Sequence, residues 1–311
     1  MIKFQPYREM FLQIKRMTFE FMPHPLFPDD PQAIFVLEGG TAFIYQLRDL
    51  ETQRLYALKV FKPAYRDEHS MRVTEFLVLH PELHVFQIEG RVCLTRYSAP
   101  DLVQTFPELE YAILMPWNAS LSWAGMMLNP QASACYSREQ ALMLARATAN
   151  ALWNLEALGV AHADLAGSNL VPSQDGQQLQ LLDPEGMFLP GKPLPKKLSQ
   201  GSPGYQHRHL GPQGQCCREG DRFAGAILLT ELLTWWNPRV RARVEEHAET
   251  LFRQEELQTR DAPCWPVVRD TLYTLSPKLL ALFDQVWFSQ TLADCPPFSA
   301  WSLILLSDFT G

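Results

Sequence analysis

The chain has 311 residues, with 27 Lys+Arg against 34 Asp+Glu, a formal net charge of −7, and 47% hydrophobic residues. That apolar content excludes a largely disordered chain. The acidic balance, with no basic block, argues against nucleic acid as a partner, because neutralising phosphates needs clustered Lys and Arg. Residues 1–30 read as a strand-like stretch closing in the turn-rich run PHPLFPDDP. Residues 33–62 read as strand, glycine turn, strand, strand, in AIFVLEGG, TAFIYQL and RLYALKVF. The alternation around Phe43–Tyr45 and Leu55–Leu58 predicts a half-buried antiparallel sheet. A helix is expected over 66–79, and two or three further strands over 83–117, the last being the apolar run Tyr111–Met115.

After Trp117 the pattern turns helical. Ser137 with Gln140 three positions on is a capping-box signature. The run ALMLARATANALWNLEAL that follows is apolar on nearly every face, which predicts a helix buried all round, ending at Gly159. A second such helix is expected over Phe223–Thr234, behind Asp221. Residues 160–220 read as short strands and a loop rich in Pro and Gly. No internal repeat or low-complexity segment appears.

No uncharged apolar run reaches the roughly 18 residues of a membrane-spanning helix. The N-terminal 21 residues are broken by charges every few positions, unlike a secretory signal. The six cysteines contain no CxxC pair, which implies reduced thiols and a cytoplasmic location. His207, His209, Cys216 and Cys217 could be read as a zinc cluster, although adjacent cysteines fit that poorly. Lys192, Lys196 and Lys197 form a small basic stretch, read as a solvated face.

The residues that carry chemistry come in one order: the Gly39-Gly40 turn, Lys59 in a strand, Glu75 in a helix, then His162-Ala163-Asp164 with Asn169. Asp183 follows at the end of an apolar strand, and Asp221 opens a buried helix. Taken singly, each is an ordinary turn, cap or surface residue. In that order and at that spacing they make up the parts needed for phosphoryl transfer.

From about residue 31 onward the chain resembles the protein kinases, in particular the bacterial, eukaryotic-like serine/threonine protein kinases. LEGGTAFIY is similar to the glycine-rich loop, with Gly39 at its second glycine, Leu37 at the first and Ala42 at the third. YALKVF resembles the strand of the phosphate-binding lysine, HADLAGSNL the catalytic loop, and LLDPEGMF the metal-binding segment. GDRFAGAILLTELL resembles the helix whose Asp braces the catalytic loop.

The resemblance implies an α+β, bilobal fold. An N-terminal extension (1–30) precedes a small antiparallel β lobe with one main helix (31–116) and a larger, mostly helical lobe (117–311). It implies ATP and Mg2+ as cofactors and a protein as substrate or partner. Lys59 would contact the phosphates, fixed by an ion pair to Glu75. Gly39 and Gly40 would let the backbone approach the phosphates, Met115 would sit behind the adenine, Asp164 would act as base, and Asn169 and Asp183 would hold the metal.

The pattern also departs from the family. Ala163 replaces a catalytic-loop arginine, so activity is expected not to depend on loop phosphorylation, and Ala166 replaces a lysine, which removes one transition-state cation. Pro184-Glu185 replaces Phe-Gly, and Glu185 reads as an exposed loop carboxylate or an additional metal ligand. The Ala-Pro-Glu triplet has no counterpart, with His207 or Arg208 in its place, and its arginine partner is replaced by Cys295. Two alternatives stay open: a pseudokinase that binds nucleotide as a scaffold, and a small-molecule phosphotransferase of the aminoglycoside/choline kinase type.

Overall fold

The computed structural model describes residues 4–30, 32–173, 175–244 and 248–309. The chain divides into two compact units, Met1–Ala119 with Pro195–Lys197, and Ser120–Leu194 with Leu198–Gly311. Together they make an α+β protein: an antiparallel sheet in the first unit and mostly helix in the second.

In the first unit, strands β1 (Phe11–Ile14) and β2 (Met17–Phe21) form a hairpin, which Lys15 closes in a left-handed conformation. Strands β3 (Val36–Glu38), β4 (Ala42–Asp49) and β5 (Leu55–Phe61) follow, then helix α1 (His69–Leu79), β6 (Val92–Cys93), helix α2 (Pro100–Thr105) and β7 (Ile113–Pro116). The sheet runs β1-β2-β4-β5-β7-β6, with β3 also paired to β4. β1 and β2, from the N-terminal stretch, are thus part of this sheet.

β5 departs from the half-buried reading, since Tyr56 through Phe61 are all buried. Successive side chains of a strand point to opposite faces, and here both faces are covered. Tyr56, Leu58 and Val60 enter a large apolar core with Phe19, Phe21 and Leu114. Phe61 joins a smaller cluster with Ala42, Cys93 and Ile113, and Met71 and Met115 pack against it. Residues 83–117 supply only two strands, β6 and β7. Pro100 and Asp101 instead start α2, because proline at the first helical position has no amide to leave unsatisfied.

The second unit opens with α3 (Trp123–Leu128) and α4 (Pro130–Cys135), then α5 (Arg138–Ala157), the two-stranded ribbon β8 (Leu170–Pro172) and β9 (Leu179–Leu181), and α6 (Asp221–Thr234). It continues through α7 (Pro238–Arg241), α8 (Gln254–Thr259), α9 (Trp265–Leu275), α10 (Pro277–Phe288) and α11 (Phe298–Ser307). Ser137 and Gln140 form the capping box of α5, and Gly159, at φ 71°, ends it.

Contrary to the sequence reading, α5 is buried on one stripe only: Ala141, Leu144, Ala145, Thr148, Ala149, Leu152 and Leu155, with Met143 and Trp153 exposed. Its apolar residues outnumber those its neighbours can cover. α6 is the helix buried nearly all round, with only Arg222 outside. There Gly225 lets α11 and α5 approach closely: a Cβ at that position would lie 2.5 Å from the Phe298 ring and 2.9 Å from Leu152.

Candidate functional site

Lys59 sits in the middle of β5, opposite Ile44 on one side and Ile113 on the other. It shares the Ala57–Phe61 face, and its Nζ lies 5.6 Å from the centre of the Phe61 ring. At 4% exposure it is a lysine that sheet pairing has taken out of water. Met115 lies opposite Ala57 on β7, and its sulfur accepts from Arg91 Nη1 at 3.6 Å.

Gly39 and Gly40 form the exposed turn between β3 and β4, with the Gly39 amide donating to the Ala42 carbonyl at 2.9 Å. A Cβ on Gly40 would meet nothing within 4 Å. The fold itself does not require glycine there.

Glu75 does not play the part expected of it. α1 buries His69, Ser70, Val73 and Leu77, and Glu75 falls between Val73 and Leu77 in sequence, about 200° around the helix from each. Its side chain is exposed, and among the described residues no ion pair joins it to Lys59.

In the second unit, the segment after α5 is held by Asp221, the first residue of α6. Its carboxylate accepts the His162 amide at 2.6 Å and the Ala163 amide at 2.9 Å. This clamp holds Ala163 at φ 63°, a left-handed conformation that a non-glycine residue adopts at a cost of about 1–2 kcal/mol. Asp221 is fully buried, and burial pushes its carboxyl above the usual range, against the pull of the nearby His162 and the two amides.

Three further hydrogen bonds close the loop on itself. Asn169 Nδ2 donates to the Asp164 carbonyl at 2.9 Å, the Leu182 amide donates to the Asn169 carbonyl at 2.8 Å, and His162 Nε2 donates to the Leu182 carbonyl at 2.8 Å. The register of the β8–β9 ribbon, Leu170 opposite Leu181, thus carries Asn169 alongside Leu182 and brings Asp183 next to it. Asp183 is itself left-handed, at φ 58° and ψ 51°. This turns the chain into the short 3₁₀ segment Pro184–Gly186. Within this segment Glu185 is buried, at 8% exposure, which corrects the expectation of an exposed loop carboxylate.

The Asp164 carboxylate is engaged by a residue that sequence reasoning passed over. Ser202 Oγ donates to Asp164 Oδ1 at 2.9 Å. Close to Ser202 in sequence, Tyr205 Oη donates to Glu231 Oε2 at 2.8 Å; Trp123 Nε1 donates to the same oxygen at 3.2 Å, and the Leu251 amide to Oε1 at 2.7 Å. The segment after Asp164 rests on this group: a Cβ on Gly167 would lie 2.9 Å from Tyr205 Oη and 3.0 Å from the Trp123 ring. A glutamate inside the apolar run AILLTELLT was the sequence signal for this buried polar centre.

Burial pushes the Glu231 carboxyl up to about 7, although its three donors pull it down. Relative to an unfolded value near 4.5, the folded state then holds the proton more tightly. The stability this group confers is full below about pH 4.5 and is lost as pH rises through about 7. Over that window the loss is on the order of a few kcal/mol, at about 1.4 kcal/mol for each pH unit by which the pKa is displaced. Glu231→Gln should flatten this component. Urea unfolding of parent and variant at pH 5 and pH 8 measures it, and identical pH dependence in the two would remove Glu231 as the source.

The triplet region is resolved without a charge. His207 is buried, its Nε2 sits 3.1 Å from Ser289 Oγ, and the His209 amide donates to its Nδ1 at 3.1 Å. Cys295 Sγ donates to the same Ser289 hydroxyl at 3.5 Å. His207 and Cys295 thus meet through a serine. Burial lowers the His207 pKa, in keeping with a neutral ring.

Both ring nitrogens of His207 are engaged in hydrogen bonds. Among the described residues no group of three or more His, Cys, Asp or Glu is placed to hold a metal ion. A scan against protein-family models finds no match to this chain, and a search of curated proteins finds no significant one.

Proposed function

We propose that the protein transfers the γ-phosphoryl group of ATP, with Mg2+, to a serine or threonine hydroxyl of a protein. One observation carries this reading: the Asp164 carboxylate, on a loop locked by Asp221 and Asn169, already accepts a hydrogen bond from a serine hydroxyl, Ser202, at 2.9 Å. An acceptor hydroxyl needs that same relation to a general base.

In this reading the acceptor's O–H proton passes to Asp164 while its oxygen bonds to the γ-phosphorus. The bond to the β,γ-bridging oxygen breaks, and ADP leaves. Lys59 serves the phosphates, and its near-complete burial would strengthen its attraction for them by excluding water. The Gly39-Gly40 amides lie in an exposed turn with open space beside Gly40, which suits close approach of an anion.

Asn169 and Asp183 are the residues that would hold Mg2+. Both offer hard oxygens, and Asn169 Nδ2 is already engaged, which leaves its Oδ1 for a cation. Two protein ligands suffice, because magnesium keeps waters and phosphate oxygens in its coordination shell. Bound there, the ion would neutralise charge on the phosphates as the leaving group departs.

The exposed Glu75 favours a second reading, a nucleotide-binding scaffold without transfer. Purified protein with labelled ATP and Mg2+ decides between the two. Label in the protein itself or in a generic protein substrate supports transfer; ATP binding without label supports the scaffold.

Lys59→Ala should remove both label and ATP-dependent thermal stabilisation. That stabilisation is worth about 2.7 kcal/mol when ATP is at 100 times its Kd. An unchanged thermal shift in the variant would overturn the role given to Lys59.

A further inference from the structure

Two arginines of the second unit, Arg208 and Arg260, meet at one turn. Arg208 Nη2 donates to Gln290 Oε1 at 3.3 Å, and Arg260 Nη2 donates to the Ser289 carbonyl at 3.1 Å. Ser289 and Gln290 are consecutive and directly follow α10, so the two guanidiniums converge. Burial lowers the Arg260 pKa, and the charge of Arg208 lowers it further. The turn beneath them is fixed: Ser289 Oγ donates to the Val286 carbonyl at 2.6 Å, and the Gln290 and Thr291 amides donate to Asp294 Oδ2 at 3.0 and 2.8 Å.

Among the described residues neither arginine forms an ion pair; Arg260 lies 5.3 Å from the centre of the Phe288 ring. A guanidinium carries five donors, and each of these two has a single acceptor. The Nε of both is out of contact with water and without a partner, which costs free energy in a buried donor. Arg260 also stands at φ 57°, the left-handed conformation that ends helices and favours glycine. Holding the end of α10 explains one donor of Arg260 and nothing of Arg208.

An oxyanion would relieve the like-charge contact and the unmet donors together. The guanidinium fork matches the oxygens of phosphate and carboxylate. Two forks without a counter-charge match a doubly charged group better than a singly charged one. A phosphate monoester carries about −1.5 to −2 at pH 7. We infer that Arg208 and Arg260, above the Ser289-Gln290 turn, form a site for a phosphate group, free or as a monoester. A small rotation of each guanidinium would bring its Nε to that group. The site uses none of Lys59, Asp164, Asn169 or Asp183, so it stands independently of phosphoryl transfer.

Equilibrium dialysis with labelled inorganic phosphate tests the site. Fluorescence anisotropy of a phosphoserine peptide, against the same peptide with serine, separates the two sources of phosphate. Inorganic phosphate should bind with a Kd of about 1 mM or below, and acetate should compete at least about 10-fold more weakly because it brings less charge. Arg208→Gln should weaken binding about 10-fold or more, through lost charge-assisted hydrogen bonds. Arg260→Lys keeps a cation near Ser289 but loses the fork, and should weaken binding about 3- to 10-fold. Lys59→Ala should bind phosphate as the parent does.

Thermal melts of the ligand-free variants check the fold. Arg208→Gln removes a single bond of 3.3 Å, so it keeps the test decisive if Arg260 is needed for folding. Preference for the phosphoserine peptide that disappears in Arg208→Gln upholds the site and identifies an ester. Phosphate binding with no difference between the peptides upholds it for free phosphate. Binding of neither probe at about 10 mM, equal competition by acetate, or undiminished binding by folded Arg208→Gln would overturn it. So would a loss of phosphate binding in Lys59→Ala alone.

Discussion

Asp164→Asn should abolish phosphoryl transfer while leaving ATP affinity within about twofold of the parent. The amide keeps the size of the side chain and can still accept from Ser202 Oγ, but it can neither take up a proton nor bring the negative charge that draws the acceptor hydroxyl in. General-base catalysis contributes about 10²–10⁴-fold, so turnover should fall by at least about 10³-fold once the lost positioning is included. The loop itself should hold, because its fixed points involve the backbone of residue 164 and not its carboxylate: Asn169 Nδ2 donates to the carbonyl. Single-turnover transfer in parallel with equilibrium ATP binding makes the distinction. A variant that transfers at the parent rate would remove Asp164 as base, and one that loses both ATP binding and its thermal melt would show that the side chain has a structural role.

How much of this site could be read in the sequence differs residue by residue. The strand that carries Lys59 was legible in the sequence, but not its burial: Tyr56, Leu58 and Val60 enter the large core, and the alternating set with Lys59 and Phe61 is covered as well. Asp221 was legible too, as a lone acid at the head of an apolar helix.

Glu75 was misread. Spacing from Lys59 put a carboxylate in α1, but HSMRVTEFLVL has apolar residues on every side, so the sequence does not fix which face turns inward. In the structure Val78 and Leu79 are exposed and Ser70 and Val73 are buried, which carries Glu75 outward.

Glu185 was misread for a local reason: a loop sequence such as Asp-Pro-Glu-Gly looks solvated, and the left-handed Asp183 that folds it inward leaves no mark on residue type. The contact of Ser202 with Asp164 joins residues far apart in the chain, and a serine in a Gly/Pro-rich loop gives no sign of its partner. The expectation that α5 would be buried all round failed because composition counts apolar residues and not the neighbours available to cover them.

Asp221→Ala should be the most destabilising of the substitutions considered, by about 3–5 kcal/mol. It strips the acceptor from two buried amides at once, those of His162 and Ala163, and a buried donor left without a partner costs about 1–3 kcal/mol. The left-handed backbone at Ala163 adds to the loss, because the strain is tolerated only while both amides are held. Asp221→Asn should fare little better: one oxygen still accepts, but the amide nitrogen faces a backbone N–H, donor against donor. Urea unfolding gives the stability change. The functional consequence should then track loop geometry and not nucleotide binding, so in folded Asp221→Asn protein at low temperature kcat should fall by more than about tenfold while KM for ATP moves little. A stability loss under about 1 kcal/mol in Asp221→Ala would show that the two amides find other acceptors, and that the loop carrying Asp164 and Asn169 is not held from α6.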